Sequence, residues 1–288
     1  MEINQKFTIT QEESGQRLDK FLLSKFPSYS RSKMQKIIAK NVTINGKKAK
    51  NSQKIKKGDI IEISFRKEKE FVLEPNPNIV VPIIFENKNY LIVKKPCGMV
   101  VHPGEGHLKN DTLVNWLIAK YPEIKNIGSN HFRPGIVHRL DKETAGIMII
   151  AKTNEFYKYI RQQFDDRKVK KIYLAWVRGE VKENKGIISK KLKRSKKGFK
   201  FTVSEKEGRE ALTKFRVLKR EKDRTFIEVE PVTGRMHQIR VHLASIGHPV
   251  IGDTIYGKDK KGPMLLCAYK IKFKDIDGKM KEYKVSCK

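Results

Sequence analysis

The chain has 288 residues, 38% of them hydrophobic, enough for one large domain and a small one, each with a core. Lys and Arg number 63 against 32 acids, a net charge of +31, the excess expected of a polyanion binder, with nucleic acid the first partner to consider. No apolar run approaches the ~20 residues that cross a bilayer, and the opening MEINQKFTIT lacks the charged start, apolar middle and cleavage site of a leader. Cys97, Cys267 and Cys287 are odd in number, far apart and form no C-x-x-C pair. We therefore expect reduced thiols in a cytoplasmic protein, with neither a disulfide framework nor a zinc site.

Residues 15–63 read as a unit. Leu18, Phe21, Leu22 and Phe26 recur at helical spacing until Pro27 breaks the run, and Ser30 is a candidate N-cap for a second helix with Met34, Ile37 and Ile38 inward. Lys33, Lys36 and Lys40 then share its outer face. VTING and DIIEI follow as two short strands separated by basic turn residues. From the residues alone this is a small helix-pair domain with a solvated lysine face. The order of elements and the pattern RLDKFL, SRSKMQKII, VTINGK, GD resemble the S-four-like RNA-binding domain, named after a ribosomal small-subunit protein. That resemblance implies an RNA-binding module over residues 1–65, with Lys33, Lys36 and Lys40 toward RNA.

Residues 66–78, charged and then rich in Pro and Asn, read as a linker to a second domain, 79–288. VVPIIFENKNYLIVKK gives strands broken by an Asn-Lys-Asn turn. DTLVNWLIAKY is a packing helix with Asp111 as its expected cap. IMIIAK is a buried strand, and Phe156, Ile160 and Phe164 mark a helix that covers it. In KIYLAWVRG, Tyr173, Ala175 and Val177 point one way and Ile172, Leu174 and Trp176 the other. GIISKKLKRSKKGFK is expected to be a flexible basic loop or hairpin rather than a fold element. ALTKFRVLKR and TFIEVEPV are strands, and QIRVHLASIG is a helix ended by Gly247 and Pro249. Without regular strand-helix alternation, the fold class is α+β, a mixed, largely antiparallel sheet with flanking helices.

The chemistry narrows by elimination. There is no G-x-x-x-x-G-K-[ST], no G-x-G-x-x-G between strand and helix, and no H-E-x-x-H or Cys/His quartet. One carboxylate stands out in HRLDKETAGIMIIAK: Asp141, at the mouth of the buried strand. A plain strand-end turn would account for it. A lone carboxylate can also serve as nucleophile or general base, and a guanidinium beside it would keep it ionised. Arg139 and Arg240 are the candidates, Arg240 because its place after Ile239 turns it off the apolar face.

Four blocks in order, LIVKKPCGMVVHPG, GIVHRLDKETAGIMIIAK, KKIYLAWVRG and TGRMHQIRVHLASIGHPVIGD, resemble those of the RluA/RluD family of RNA pseudouridine synthases over roughly residues 80–272. The resemblance implies catalytic roles for Asp141 as the essential carboxylate, Tyr173 as the aromatic that stacks on the uracil and assists proton removal from C5, and Arg240 as the aspartate's partner. It also implies substrate contacts for Arg139, which fills the gap left by an extruded base, for its neighbour His138, and for Leu266, which packs near the target. The chain departs from the family pattern at Ala145, where Ser is usual, and at Cys267, where His is frequent. Such an enzyme needs no cofactor and no metal, because its reaction is an isomerisation. The expected partner is ribosomal RNA of the large subunit or its assembly precursor, with a monomeric, cytoplasmic protein and no membrane. Transfer RNA as substrate, or a non-catalytic ribosome-assembly factor, are the alternatives.

Overall fold

The computed structural model describes every residue except 1, 28, 30, 67–71, 105–106, 196–199, 258, 260–261 and 288, and the side chain of Ser32. It comprises two compact units, Met1–Phe71 and Val72–Lys288.

In the first unit, β1 (Glu2–Thr8), α1 (Leu18–Lys25), α2 (Arg31–Asn41), β2 (Val42–Ile44), β3 (Lys47–Lys48) and β4 (Ile60–Arg66) form an antiparallel sheet in the order β1-β4-β2-β3 against two helices. Leu18, Phe21, Leu22, Met34 and Ile38 bury against Ile61 and Ile63, so the helical spacing does place the core. β2 turns into β3 through Asn45 and Gly46, both at positive φ, the residue pair that a two-residue hairpin with this twist requires. Asp19 is fully buried and accepts from Arg17 (2.8 and 2.9 Å), Arg31 and Gln35, which hold its carboxyl far below the usual range despite burial. The expected cap Ser30 lies outside the described residues.

The second unit contains β5 (Ile83–Glu86), β6 (Tyr90–Lys95), α3 (Leu113–Lys120), β7 (Ala145–Ala151), α4 (Asn154–Asp165), β8 (Lys170–Arg178), β9 (Lys185–Ser189), β10 (Lys191–Arg194), β11 (Phe201–Ser204), β12 (Leu212–Glu221), β13 (Arg224–Pro231), α5 (Gln238–Ala244), β14 (Leu266–Lys274) and β15 (Met280–Lys284). Its nine-stranded sheet runs β5-β6-β7-β14-β8-β13-β12-β9, with β15 added on β14. Every pairing is antiparallel except β7 with β14. That close parallel contact needs Gly146, whose φ is +124° and where any Cβ would collide with the Ala268 backbone. One core lies around β6, β7, α3 and α4, and a second around β8, β13 and α5.

Three expectations are corrected. The cap of α3 is Thr112 rather than Asp111; its N–H donates to Asn115 Oδ1 (3.0 Å), while Asp111 accepts from His107. The stretch expected as a flexible loop or hairpin outside the fold contributes β9 to the large sheet and β10, which pairs antiparallel with β11, because Ile188 and Leu192 are buried among its lysines. Within the stretch expected as a linker, Asn115 donates to Glu74 O and Asn76 N–H to Asn115 O. Finally, Cys267 and Cys287 are joined in a disulfide, their Cα atoms 5.9 Å apart, because β15 returns alongside β14 and brings together residues 20 apart in sequence. Cys97 is free and exposed.

Candidate active site

Asp141 follows the buried Leu140 in the short loop before β7. The loop is gripped from the KKPCG block: Lys95 Nζ donates to the carbonyls of Pro96 (2.7 Å), Met99 (2.8 Å) and Lys142 (3.0 Å), and Gly98 N–H also donates to Lys142 O. Three carbonyl acceptors match the three N–H bonds of an ammonium. Burial pushes the Lys95 pKa down to about 8, partly opposed by Cys97, Glu143 and Asp141, so the group remains charged at neutral pH.

Arg240 projects from α5 and is buried, yet it is fully engaged. Its Nε and Nη2 donate to Asp253 Oδ2 and Oδ1 at 2.7 and 2.8 Å, and its Nη1 donates to Asp141 Oδ2 at 3.2 Å. Burial opposes the charge on Arg240, but the two carboxylates hold its pKa above the ordinary arginine value. Burial likewise opposes ionisation of Asp253, and the Arg240 hydrogen bonds, joined by the Tyr256 and Ile255 N–H groups, keep it below the carboxylate range. Asp141, paired with Arg240, stands at the cavity wall.

That cavity, of about 510 Å³, is lined by Asp141, Tyr173, Arg240, Arg139, His138 and Leu266. Its volume falls within the roughly 300–1,000 Å³ of small-molecule sites. Every residue expected at the site from the second domain is thus gathered at one place; Lys33, Lys36 and Lys40 belong to α2 of the first unit. Burial, with Asp141 adding to it, pushes the Tyr173 hydroxyl well up, so it is a phenol at neutral pH. His138 stacks on Phe164 and its Nε2 accepts Ile149 N–H (3.0 Å), which commits that nitrogen to the wall of the site. Arg139 is exposed at the rim and bonds no described residue, in contrast to Arg240.

Sequence reasoning passed over three residues. Asp253 lay in the fourth block as HPVIGD, where an acid after Gly reads as a turn. Lys95 was not singled out, though a Lys ending a strand of Leu, Ile and Val is a signal for burial, and it is buried. His237 lines the cavity with Nε2 3.9 Å from Asp141 Oδ2.

Comparison with known proteins follows the same lines. Residues 89–245 match the family model described as RNA pseudouridylate synthase, and residues 16–61 match the S4 domain. A protein of Aquifex aeolicus (strain VF5) named uncharacterized RNA pseudouridine synthase is 43% identical over 89% of this chain and 82% of its own length. Proteins named ribosomal large subunit pseudouridine synthase D from Borreliella burgdorferi and Escherichia coli (strain K12) are 36% and 34% identical, covering 93% and 89% of this chain and 85% and 77% of theirs. Among solved structures, human RNA pseudouridylate synthase domain containing 1 superposes with a TM-score of 0.60 at 25% identity, over 74% of this chain and 86% of that one. A family match across more than half of the chain, around the cavity just described, shows that the chain belongs to the RNA pseudouridylate synthases.

Proposed function

We propose that this enzyme converts uridines of large-subunit ribosomal RNA to pseudouridine, with Asp141 as the nucleophile, and that it works as a monomer in the cytoplasm. The observation that carries the reading is Asp141 paired with a buried Arg240 at the wall of a cavity that Tyr173 and Leu266 also line. The names of the Borreliella and Escherichia relatives support ribosomal RNA, and the net charge of +31 and the S4 match support a large polyanion. An assembly factor without chemistry would have no use for a buried arginine locked onto an exposed-side carboxylate.

In this reading a uridine leaves the stack, at a cost of a few kcal/mol, and enters the cavity. Stacking on Tyr173, worth about 1–3 kcal/mol, and Arg139 in the vacated place offset part of that cost. Asp141 assists cleavage of the bond between N1 and C1′. The base turns, C5 bonds to C1′, the C5 proton leaves to solvent and N1 gains a proton, so atoms balance without redox chemistry. We assign Tyr173 to stacking, because a phenol held protonated is a poor acceptor for the C5 proton.

The test is tritium release from C5-labelled, unmodified ribosomal RNA. Wild type releases tritium, and Asp141→Asn releases none while binding RNA with nearly unchanged affinity. Substantial release by the variant would remove Asp141 from the nucleophile's role; release from transfer RNA but not ribosomal RNA would change the substrate.

A further inference from the structure

Asn45, Arg167 and His237 are the three described non-glycine residues with positive φ, and two of them, Arg167 at 58° and His237 at 56°, line the cavity around Asp141. L residues enter this region at a cost and persist there where their surroundings enforce it, often at functional sites. His237 stands at the entry to α5. Its Nε2 is too far from Asp141 Oδ2, at 3.9 Å, to bond it directly, and so faces the space beside the carboxylate that a reacting nucleotide must occupy.

The other ring nitrogen is committed. Nδ1 lies 2.8 Å from the Tyr256 hydroxyl, whose oxygen already accepts the Phe201 backbone N–H at 2.9 Å. Since that oxygen already accepts from Phe201, we assign the Tyr256 hydroxyl the donor's role toward Nδ1. Burial, against the pull of Asp141, keeps the imidazole below the ordinary histidine pKa. A neutral ring that accepts at Nδ1 carries its proton on Nε2.

Isomerising uridine places negative charge on the base. When the N1–C1′ bond breaks, its electron pair stays with the uracil and spreads onto O2 and O4; attack at C6 would load O4 instead. We propose that His237 is a catalytic residue: its Nε2–H donates to the uracil carbonyl oxygen on which charge develops, and Tyr256 is the positioning residue that keeps the proton on Nε2. The inference rests on the uridine isomerisation proposed above and names a contact that both routes use. A donor fixed before the reaction needs no reorganisation when the charge appears, which is where such groups are most effective. Tyr256 serves the site twice, since its ring also lies under the Arg240 guanidinium, 5.2 Å from ring centre to Cζ. Because Phe201 begins β11, the strand and the donor are held by one chain of hydrogen bonds.

The experiment measures single-turnover tritium release from C5-labelled large-subunit ribosomal RNA, together with RNA affinity, for wild type, His237→Leu, His237→Gln and Tyr256→Phe. Leu and Gln bear the same backbone cost at φ +56°, so their difference isolates the donor. His237→Leu slows release about 10²–10³-fold, the range for losing one such donor, with affinity within about twofold. His237→Gln, whose amide reaches the same position, recovers about tenfold of that loss, and Tyr256→Phe slows release about tenfold. Nitrogen-15 spectra of labelled histidine show the Nε2–H tautomer in wild type and a mixture in Tyr256→Phe, a readout that a purely structural role would not move. Release by His237→Leu within twofold of wild type, equal loss in Leu and Gln, or an unchanged tautomer in Tyr256→Phe would overturn the inference. Absence of release by wild type itself would instead overturn the proposed activity.

Discussion

Asp253 holds Arg240 by two hydrogen bonds, at 2.7 and 2.8 Å, so that the one remaining guanidinium nitrogen, Nη1, reaches Asp141. Both partners of that grip are buried. Asp253→Asn removes its charge and leaves Arg240 short of a carboxylate in a dry site. Breaking such a pair on one side is expected to destabilise the enzyme by about 3 kcal/mol. Tritium release should fall at least tenfold, read beside a thermal melt, because Arg240 loses the edge that aims it. Full activity in the variant would show that Asp141 alone orients Arg240.

Replacing Arg240 with Lys tests the same geometry from the other side. A lysine keeps a positive charge but has no planar fork to engage Asp253 and Asp141 at once. Arg240→Lys should therefore lose most activity despite its charge, whereas a response to charge alone would leave activity near wild type.

Lys95→Met would leave the Pro96 and Met99 carbonyls without their ammonium donor, while the Lys142 carbonyl keeps Gly98 N–H. Unmade hydrogen bonds away from water cost about 1–3 kcal/mol each, so a loss of at least about 2 kcal/mol in denaturant unfolding is expected. Since Lys142 follows Asp141 directly in the chain, activity should fall further than stability at temperatures where the fold remains intact.

Two histidines set an acid limit. Burial, against the Pro103 carbonyl, holds His102 down at about 4, and burial with the charge of Lys171 holds His138 down at about 3, against about 6.5 in an unfolded chain. Below pH 6.5 the unfolded chain takes up protons that the folded one refuses, so stability present above that pH is lost as pH falls toward the folded values. Each ring contributes up to about 1.4 kcal/mol per pH unit. Denaturant midpoints between pH 7 and 4.5 should decline, and a flat profile would mean that these rings are solvated.

Reducing the Cys267–Cys287 disulfide opens a closure of 20 residues. On the chain-entropy account that costs about 3 kcal/mol. A melt with and without reductant should show it, and three free thiols by titration before reductant is added, rather than Cys97 alone, would deny the bond.

The motif blocks made Asp141, Tyr173 and Arg240 legible because each is placed by local chain direction: a loop into a strand, a strand face, a helix face; Leu266, outside those blocks, opens a strand. Asp253 and His237 were not, although they stand within or beside the same blocks, because their roles depend on what faces them across the cavity. β1 was missed since its inward residues, Ile3 and Phe7, are spaced among polar ones on an edge strand. β9 and β10 were hidden by lysines that flank single buried residues, Ile188 and Leu192. The disulfide was out of reach because only the return of β15 along β14 brings its halves together.

Asp141 follows Leu140, part of one core, and Arg240 follows Ile239, part of the other, while Tyr173 packs against both. The ion pair therefore crosses a seam between two stiffly packed bodies that share one sheet. Such a seam acts as a gauge. With each partner fixed to a different core, the 3.2 Å contact between Arg240 and Asp141 registers how the two cores are spaced.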